Sequence, residues 1–157
     1  MGLFCLPSPI TIKIWFMMIL GIGVDIIHLP RLKALLSRTP SSLKKFTSRI
    51  LTSDESKEFH YTFSSILNTR DNHITIEHKI VSYLAVRWTL KEATYKALYP
   101  HNCIAWKDVS IKKIKGKPHV TIHNDTTISK THASVAHDGE YVVAQVMIEG
   151  LEKPKIS

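Results

Sequence analysis

The sequence predicts a single α+β domain, in which an antiparallel sheet packs on one long central helix. A chain of 157 residues suits one domain with a sizeable core. Residues 81–98 follow a helical period and carry apolar side chains on two opposite faces, so this helix must be packed on both sides. Residues 141–148 are apolar at every second position and follow an Asp138-Gly139 turn signal, which is typical of a hairpin. The helix and the hairpin therefore define the expected core.

The first expected element is a buried strand over residues 18–28, a short segment rich in Ile and Val. With the two-residue period of a strand, Gly21, Gly23 and Asp25 share one face. The other face consists of Leu20, Ile22, Val24 and Ile26. Glycines within a strand often mark the close approach of a ligand or another backbone, which makes Asp25 a candidate site residue. The alternative is that Asp25 only caps the following turn.

Residues 1–17 are interpreted as an N-terminal extension of the domain, and residues 151–157 as a basic tail. The uncharged run over residues 14–24 falls short of the roughly 20 residues that a membrane-spanning helix needs. No clear cleavage site for a signal peptide stands out. We therefore expect no membrane span, and a targeting role for residues 1–17 stays open.

Two short basic helices are expected within residues 31–47, because Pro40 interrupts the helical pattern. Their cationic residues include Arg31, Arg38, Lys44 and Lys45. Most runs of this kind are solvated charged faces, and a docking surface is the alternative. A third helix is expected over residues 52–66, and residues 67–79 are interpreted as a polar loop.

Two apolar stripes run along the central helix. The first consists of Val81, Leu84, Ala85 and Trp88, and the second of Val86, Leu90, Ala93 and Ala97. Glu92 projects within the first stripe, and Lys96 follows it by one turn. An ionised carboxylate is rarely buried without a partner, because its desolvation costs several kcal/mol. Glu92 therefore either forms an internal salt bridge with Lys96 or lies at the floor of a cleft, open to a metal ion or a proton.

After the central helix, the sequence predicts strands over residues 106–114 and 119–123, joined by a Gly116-Lys117-Pro118 turn. The chain is strongly basic, with 21 Lys and Arg residues against 13 Asp and Glu residues and a net charge of +8. This excess suggests an anionic partner. We find no nucleic-acid-binding motif or aromatic-interleaved basic surface, and expect no nucleic-acid partner. The two cysteines, Cys5 and Cys103, provide no disulfide framework and favour a reducing compartment.

Two segments together resemble the holo-acyl-carrier-protein synthase family of small phosphopantetheinyl transferases. They are GIGVDIIHLPRL at residues 21–32 and RWTLKEATYKAL at residues 87–98. Further matches are RILT at residues 49–52 followed by Glu55, the Gly116-Lys117-Pro118 turn and the hairpin of residues 132–149. The resemblance covers residues 18–150, and the combination is much more specific than any one motif. It fails at residues 98–102, which contain no glycine where family members have a glycine-bearing loop close to the nucleotide.

The resemblance implies transfer of 4′-phosphopantetheine from coenzyme A to a serine of apo acyl carrier protein, with release of adenosine 3′,5′-bisphosphate. Asp25 and Glu92 match the family's metal ligands, and Mg²⁺ suits two carboxylates with phosphate oxygens and water. The implied catalytic residues are Glu92, Asp25 and Lys96, with Glu92 or a water held by the metal as the base. The implied coenzyme A-binding residues are Lys96, Arg87, His137, Lys117 and Pro118. A structural carboxylate partner for Arg87, and a plain turn role for His137, stay open.

The same resemblance implies that an acidic helix of the carrier docks on the basic run, at Arg31, Arg38, Lys44 and Lys45. It also implies a homotrimer with the nucleotide between neighbouring chains. Because the chain is similar to eukaryotic members, we expect it in mitochondria, with the cytoplasm as the alternative. A carrier-binding module without catalysis is the competing hypothesis, and the intact Asp25, Glu92 and Lys96 argue against it.

Overall fold

The α+β architecture predicted from the sequence is confirmed by a computed structural model, which describes residues 16–67, 73–100 and 102–152. The strands are β1 (Phe16–His28), β2 (Val109–Ile114), β3 (Lys117–Ile122), β4 (Ile128–Asp138) and β5 (Tyr141–Glu152). The helices are α1 (Leu29–Leu36), α2 (Ser42–Ile50), α3 (Ser53–Leu67) and α4 (His73–Leu98). Strands β1, β5 and β4 form an antiparallel sheet in that order, and β2 pairs with β3 in a separate hairpin.

Helix α4 lies between two hydrophobic clusters, as its two apolar stripes predict. Leu84 and Ala85 of the first stripe pack with residues of α1, α2 and α3. Leu90 and Ala93 of the second stripe pack with residues of β2, β3 and β5. The predicted alternation in β5 is also confirmed, because four of its residues are fully buried: Val142, Ala144, Val146 and Ile148. The long helix is therefore packed on both sides.

Strand β1 contacts α4 through its glycine-bearing face. A side chain at Gly21 or Gly23 would collide with the carbonyl oxygens of Ala97 or Ala93. Glycine at these two positions lets the strand approach the backbone of the helix directly. Asp25 continues the same face, so this close packing brings its carboxylate to the surface of α4.

The opposite face of β1 contradicts the prediction of a buried strand. Ile22, Val24 and Ile26 are each more than half exposed, because no described helix covers this side of the sheet. A bulge between Ile19 and Gly21 takes Leu20 out of the predicted alternation, and Leu20 packs into the core instead. The described chain therefore carries an exposed apolar strand face.

The helices before α4 follow the predicted order with one change of boundary. Helices α1 and α2 are separate, as Pro40 predicts, and Thr52 and Glu55 form a reciprocal capping box at the start of α3. The predicted loop over residues 67–79 is wrong for residues 73–79, which form the first turns of α4. A helix extends readily once its packed part has formed, because each added residue gains a hydrogen bond. Residues 68–72 lie outside the described chain.

Three C-terminal boundaries also differ from the prediction, and the first is the start of β3 at Lys117 instead of residue 119, because Lys115 and Gly116 form the turn. The strand expected from residue 106 starts at Val109, because Trp106–Asp108 forms a 3₁₀ turn. Strand β5 continues past residue 150 to Glu152, since it pairs with the start of β1. Most of the predicted extension and tail falls outside the described residues. Within the described residues, no helix is long and apolar enough to span a membrane.

Candidate active site

Asp25 and Lys96 meet where β1 contacts α4. The Nζ atom of Lys96 lies 2.8 Å from Oδ1 of Asp25 and 3.1 Å from the carbonyl oxygen of Val24. The Asp25 side chain is 15% exposed and the Lys96 side chain 49% exposed, so the pair opens to solvent on the lysine side. The alternative of an internal salt bridge between Glu92 and Lys96 is not formed.

Glu92 shares this site and has no hydrogen-bond or ion-pair partner among the described residues. Burial raises the pKa of its carboxyl group, the negative charge of Asp25 raises it further, and Lys96 opposes the shift. Asp25 and Glu92 are therefore close enough to repel each other. An unpaired carboxylate beside a paired one can accept a cation or a proton.

Asp25 and Glu92 line the same cleft, which has a volume of about 560 Å³. Two arginines of the predicted docking surface, Arg31 and Arg38, line it as well. Trp88 forms part of its wall and is held by a stacked contact with Phe46, with 4.9 Å between the ring centroids. The carboxylates are therefore accessible from a basic edge of the domain.

A second cleft reaches Glu92 from another side. It has a volume of about 310 Å³, and its lining includes Arg49, Tyr95 and Trp106. Glu92 lines both clefts, whereas Asp25 lines only the larger one. A ligand group in either cleft would therefore come close to the Glu92 carboxylate.

Three predicted coenzyme A-binding residues, Arg87, Pro118 and His137, line a separate cleft of about 460 Å³. No residue lines both this cleft and the cleft that contains Asp25 and Glu92. Arg87 and Glu92 lie about 140° apart around α4, which separates the two clefts. Lys117 is exposed at the start of β3 and lines neither.

Arg87 already has a structural carboxylate partner. Its Nη2 atom lies 3.1 Å and 3.2 Å from the two carboxylate oxygens of Glu58, and its guanidinium stacks over the ring of Tyr83. Its Nε atom is 3.9 Å from Oε1 of Glu55, within ion-pair range but without a hydrogen bond. Arg87 therefore has the structural carboxylate partner that the sequence analysis left open. Phosphate binding by Arg87 and by the exposed His137 stays a prediction.

Sequence reasoning missed a buried ion pair next to the site, formed by Lys91 and Glu55. The Lys91 side chain is 1% exposed, and its Nζ donates to Glu55 Oε2 at 2.7 Å. Its other two hydrogen bonds go to the carbonyl oxygens of Ile50 and Trp106, so every proton of the ammonium is used. The second oxygen of Glu55 accepts from the Ile111 N–H. The pair therefore fixes α4 to α2, α3 and β2 immediately before Glu92.

The carboxylates of this site fit Mg²⁺. This ion is usually held by one or two carboxylates together with substrate phosphates and water, and the unpaired Glu92 beside Asp25 matches that donor set. The described residues contain no group of three or more His, Cys, Asp or Glu side chains that could enclose a metal ion. With Asp25 and Glu92 as ligands, phosphate oxygens and water would supply the remaining positions around the ion.

The sequence model of the 4′-phosphopantetheinyl transferase superfamily matches residues 21–146. The chain belongs to this superfamily. It is similar to the mitochondrial 4′-phosphopantetheinyl transferase B of Aspergillus fumigatus, with 34% identity over 147 residues, 83% of this chain and 94% of the relative. Its identity to the holo-[acyl-carrier-protein] synthase of Shouchella clausii is 33% over 135 residues, 84% of this chain and 99% of that one.

Solved structures agree with this membership. A holo-(acyl-carrier-protein) synthase from Bacillus anthracis, in complex with CoA (3′,5′-ADP), has a TM-score of 0.58 and 28% identity. The match covers 84% of this chain and 97% of that one. The family and the enzyme class expected from the sequence motifs are therefore confirmed: the chain is a phosphopantetheinyl transferase.

Proposed function

We propose that this phosphopantetheinyl transferase moves 4′-phosphopantetheine from coenzyme A to a serine of an apo acyl carrier protein, with Mg²⁺ and with release of adenosine 3′,5′-bisphosphate. The observation that carries the proposal is the unpaired Glu92 carboxylate beside the Asp25–Lys96 pair in an open cleft. The CoA (3′,5′-ADP) complex of the Bacillus anthracis relative supports coenzyme A as the donor. The names of the bacterial relatives support an acyl carrier protein as the acceptor.

Each residue of the site has a role in this reaction. Asp25 and Glu92 would hold Mg²⁺, which when bound neutralises charge on the diphosphate. Lys96, which donates to Asp25 and to the carbonyl oxygen of Val24, would donate its remaining N–H to a phosphate oxygen, and Glu92 would accept the proton of the attacking serine hydroxyl. The serine oxygen bonds to the phosphorus that carries pantetheine, and the bond from this phosphorus to the oxygen of the nucleotide 5′-phosphate breaks. Positioning and charge stabilisation supply most of the rate.

Release of adenosine 3′,5′-bisphosphate from coenzyme A tests this proposal. We expect release only when an apo carrier protein is present. A carrier whose acceptor serine is replaced by alanine should give none. Release without the carrier would identify hydrolysis instead of transfer. Carrier binding without any release would contradict the proposal and favour the module without catalysis.

We propose that the acidic helix of the carrier docks along Arg31, Arg38, Lys44 and Lys45. The first two of these residues line the cleft that contains Asp25 and Glu92, so a carrier bound there would present its serine to the site. The two lysines are exposed on α2, the next helix of the same basic edge. Charge complementarity of this kind mainly sets association rates and their salt dependence.

Replacing Arg31 and Arg38 with Glu should raise the KM for the carrier roughly tenfold or more, because like charges then meet at the docking edge. The KM for coenzyme A should stay nearly unchanged. Steady-state kinetics with each substrate varied in turn measures both values, and Lys57→Glu, on an exposed lysine of α3, is the matched control. If both KM values rose together, the carrier would not dock at this edge.

We propose that three chains assemble, with the nucleotide between neighbours. The exposed apolar face of β1 supports this, because Ile22, Val24 and Ile26 would be buried against another chain. The two clefts of one chain, one with Asp25 and Glu92 and the other with Arg87 and His137, share no lining residue. In an assembly, one coenzyme A could contact the first cleft of one chain and the second cleft of its neighbour, which also supports the trimer.

Light scattering should give the mass of a trimer for the wild type and of a monomer for Val24→Lys, because a buried lysine without a partner disrupts the contact. Transfer should be lost together with the assembly. Tyr61→Lys, on a tyrosine that is 87% exposed on α3, is the control and should remain a trimer. A monomeric wild type with full activity would contradict the assembly.

We propose a mitochondrial location, with the cytoplasm as the alternative. The Aspergillus fumigatus relative, which is named as mitochondrial, supports this location. Co-localisation of the tagged full chain with a mitochondrial marker distinguishes the two compartments.

A further inference from the structure

Two exposed tyrosines, Tyr95 on α4 and Tyr99 directly after its last residue, extend the site on the solvent-facing side of the helix. Tyr95 and Tyr99 are one helical turn apart, and their rings stack with 5.8 Å between centroids and 27° between planes. Tyr95 is 38% exposed and Tyr99 59% exposed, so their rings remain accessible. Tyr95 also lines the smaller of the two clefts that contain Glu92. The ring pair therefore borders the candidate active site.

The order of residues on this helix places the rings next to the phosphate-binding elements. Glu92, Tyr95, Lys96 and Tyr99 follow the helical spacing that puts residues on one face. Lys96 and Tyr99 are separated by about 4.5 Å along the helix axis, at 1.5 Å per residue. A nucleotide whose diphosphate lies at Lys96 can span this separation with its ribose, so its base would reach the tyrosines.

We propose that Tyr95 and Tyr99 form a stacking platform for the adenine ring of coenzyme A. This inference rests on the proposed function and adds a base-binding subsite to it. Aromatic side chains bind nucleobases by stacking, because each base has a π-face that packs on the ring. The docking edge with Arg31 and Arg38 borders the larger cleft, and Tyr95 borders the smaller one. A carrier docked at Arg31 and Arg38 would therefore leave the two tyrosine rings uncovered.

Binding of two partial substrates tests the platform. The Kd for adenosine 3′,5′-bisphosphate and for 4′-phosphopantetheine, which lacks adenine, is measured by calorimetry with Mg²⁺ present. Tyr95→Leu and Tyr99→Leu should weaken binding of the nucleotide roughly 5- to 150-fold, the range expected for loss of base stacking. Both should leave the Kd for 4′-phosphopantetheine unchanged. Tyr99→Phe retains the ring and should bind the nucleotide like the wild type.

Tyr61→Leu is the matched control, because Tyr61 is an exposed tyrosine of α3 outside the described clefts. Unchanged nucleotide binding in both Leu variants would overturn the platform and leave the proposed function intact. A rise in the KM for the carrier alone would overturn it too, since the rings would then belong to the docking surface. A wild type that neither binds the nucleotide nor transfers phosphopantetheine would overturn the proposed function and the platform together.

Discussion

Replacing Asp25 or Glu92 with Ala is expected to reduce phosphopantetheinyl transfer to the background level while the protein stays folded. Each residue is a proposed ligand of the same Mg²⁺, and removing one leaves a site that no longer neutralises the diphosphate. Neither residue is part of a hydrophobic cluster, so the core should remain intact. Single-turnover rates with saturating coenzyme A and carrier measure the loss, and circular dichroism checks the fold.

The two effects should be strongly non-additive, because the first substitution already dismantles the site on which the second residue acts. The double variant is therefore expected to be about as slow as either single variant. Two independent losses that multiply in the double variant would contradict a shared metal ion. An unchanged Mg²⁺ dependence of Asp25→Ala would contradict it as well.

Thermal stability provides a second test of the environment of the Glu92 carboxylate. The pKa of Glu92 is raised in the folded protein, so its ionisation opposes folding at pH values above that pKa. Without Mg²⁺, Glu92→Gln should therefore have a higher Tm than the wild type at neutral pH. The difference should disappear as the pH falls below the ordinary pKa of a glutamate. Equal Tm values at neutral pH would contradict the raised pKa of Glu92, to which burial contributes most and the charge of Asp25 contributes next.

Replacing Lys91 with Met is expected to lower the free energy of unfolding by about 3–5 kcal/mol, the range for breaking a buried ion pair by removing one partner. The substitution replaces the apolar stem of the lysine but removes its ammonium group, which leaves Glu55 charged and buried, with its side chain 2% exposed. The carbonyl oxygens of Ile50 and Trp106 also lose their donor. Urea unfolding at pH 7 measures the change.

Two further variants separate the ion pair from a general effect of removing a lysine. Lys57→Met removes an exposed lysine that pairs with Asp54 on α3, and it should change stability little. Adding Glu55→Gln to Lys91→Met neutralises the remaining buried charge and should recover part of the loss. A Lys91→Met protein as stable as Lys57→Met would contradict a structural role for the pair.

The core could be predicted from periodicity because its residues repeat at the spacing of their element. Leu84 and Leu90 of α4 follow the helical period, and Val146 of β5 follows the strand period. Periodicity gave no sign that Ile22 and Val24 would be exposed, because an apolar strand face does not reveal whether its cover is part of the same chain.

The candidate active site could not be predicted from periodicity alone. Asp25 and Glu92 are far apart in the chain, and only the family motifs indicated that their elements meet. The Lys91–Glu55 pair was missed because a lysine between two apolar stripes is normally exposed, and because Glu55 already fitted the first turn of α3. The only available signal was that both residues belong to segments that match the family.

The intact mass of an apo carrier protein after incubation with coenzyme A and Mg²⁺ is the most direct measurement of the proposed transfer. With the wild-type chain, the carrier should gain the mass of one phosphopantetheine group on its acceptor serine. With Glu92→Ala, or with a chelator in place of Mg²⁺, it should gain none. An unmodified carrier in the wild-type reaction, or full modification by Glu92→Ala, would contradict transfer at this site.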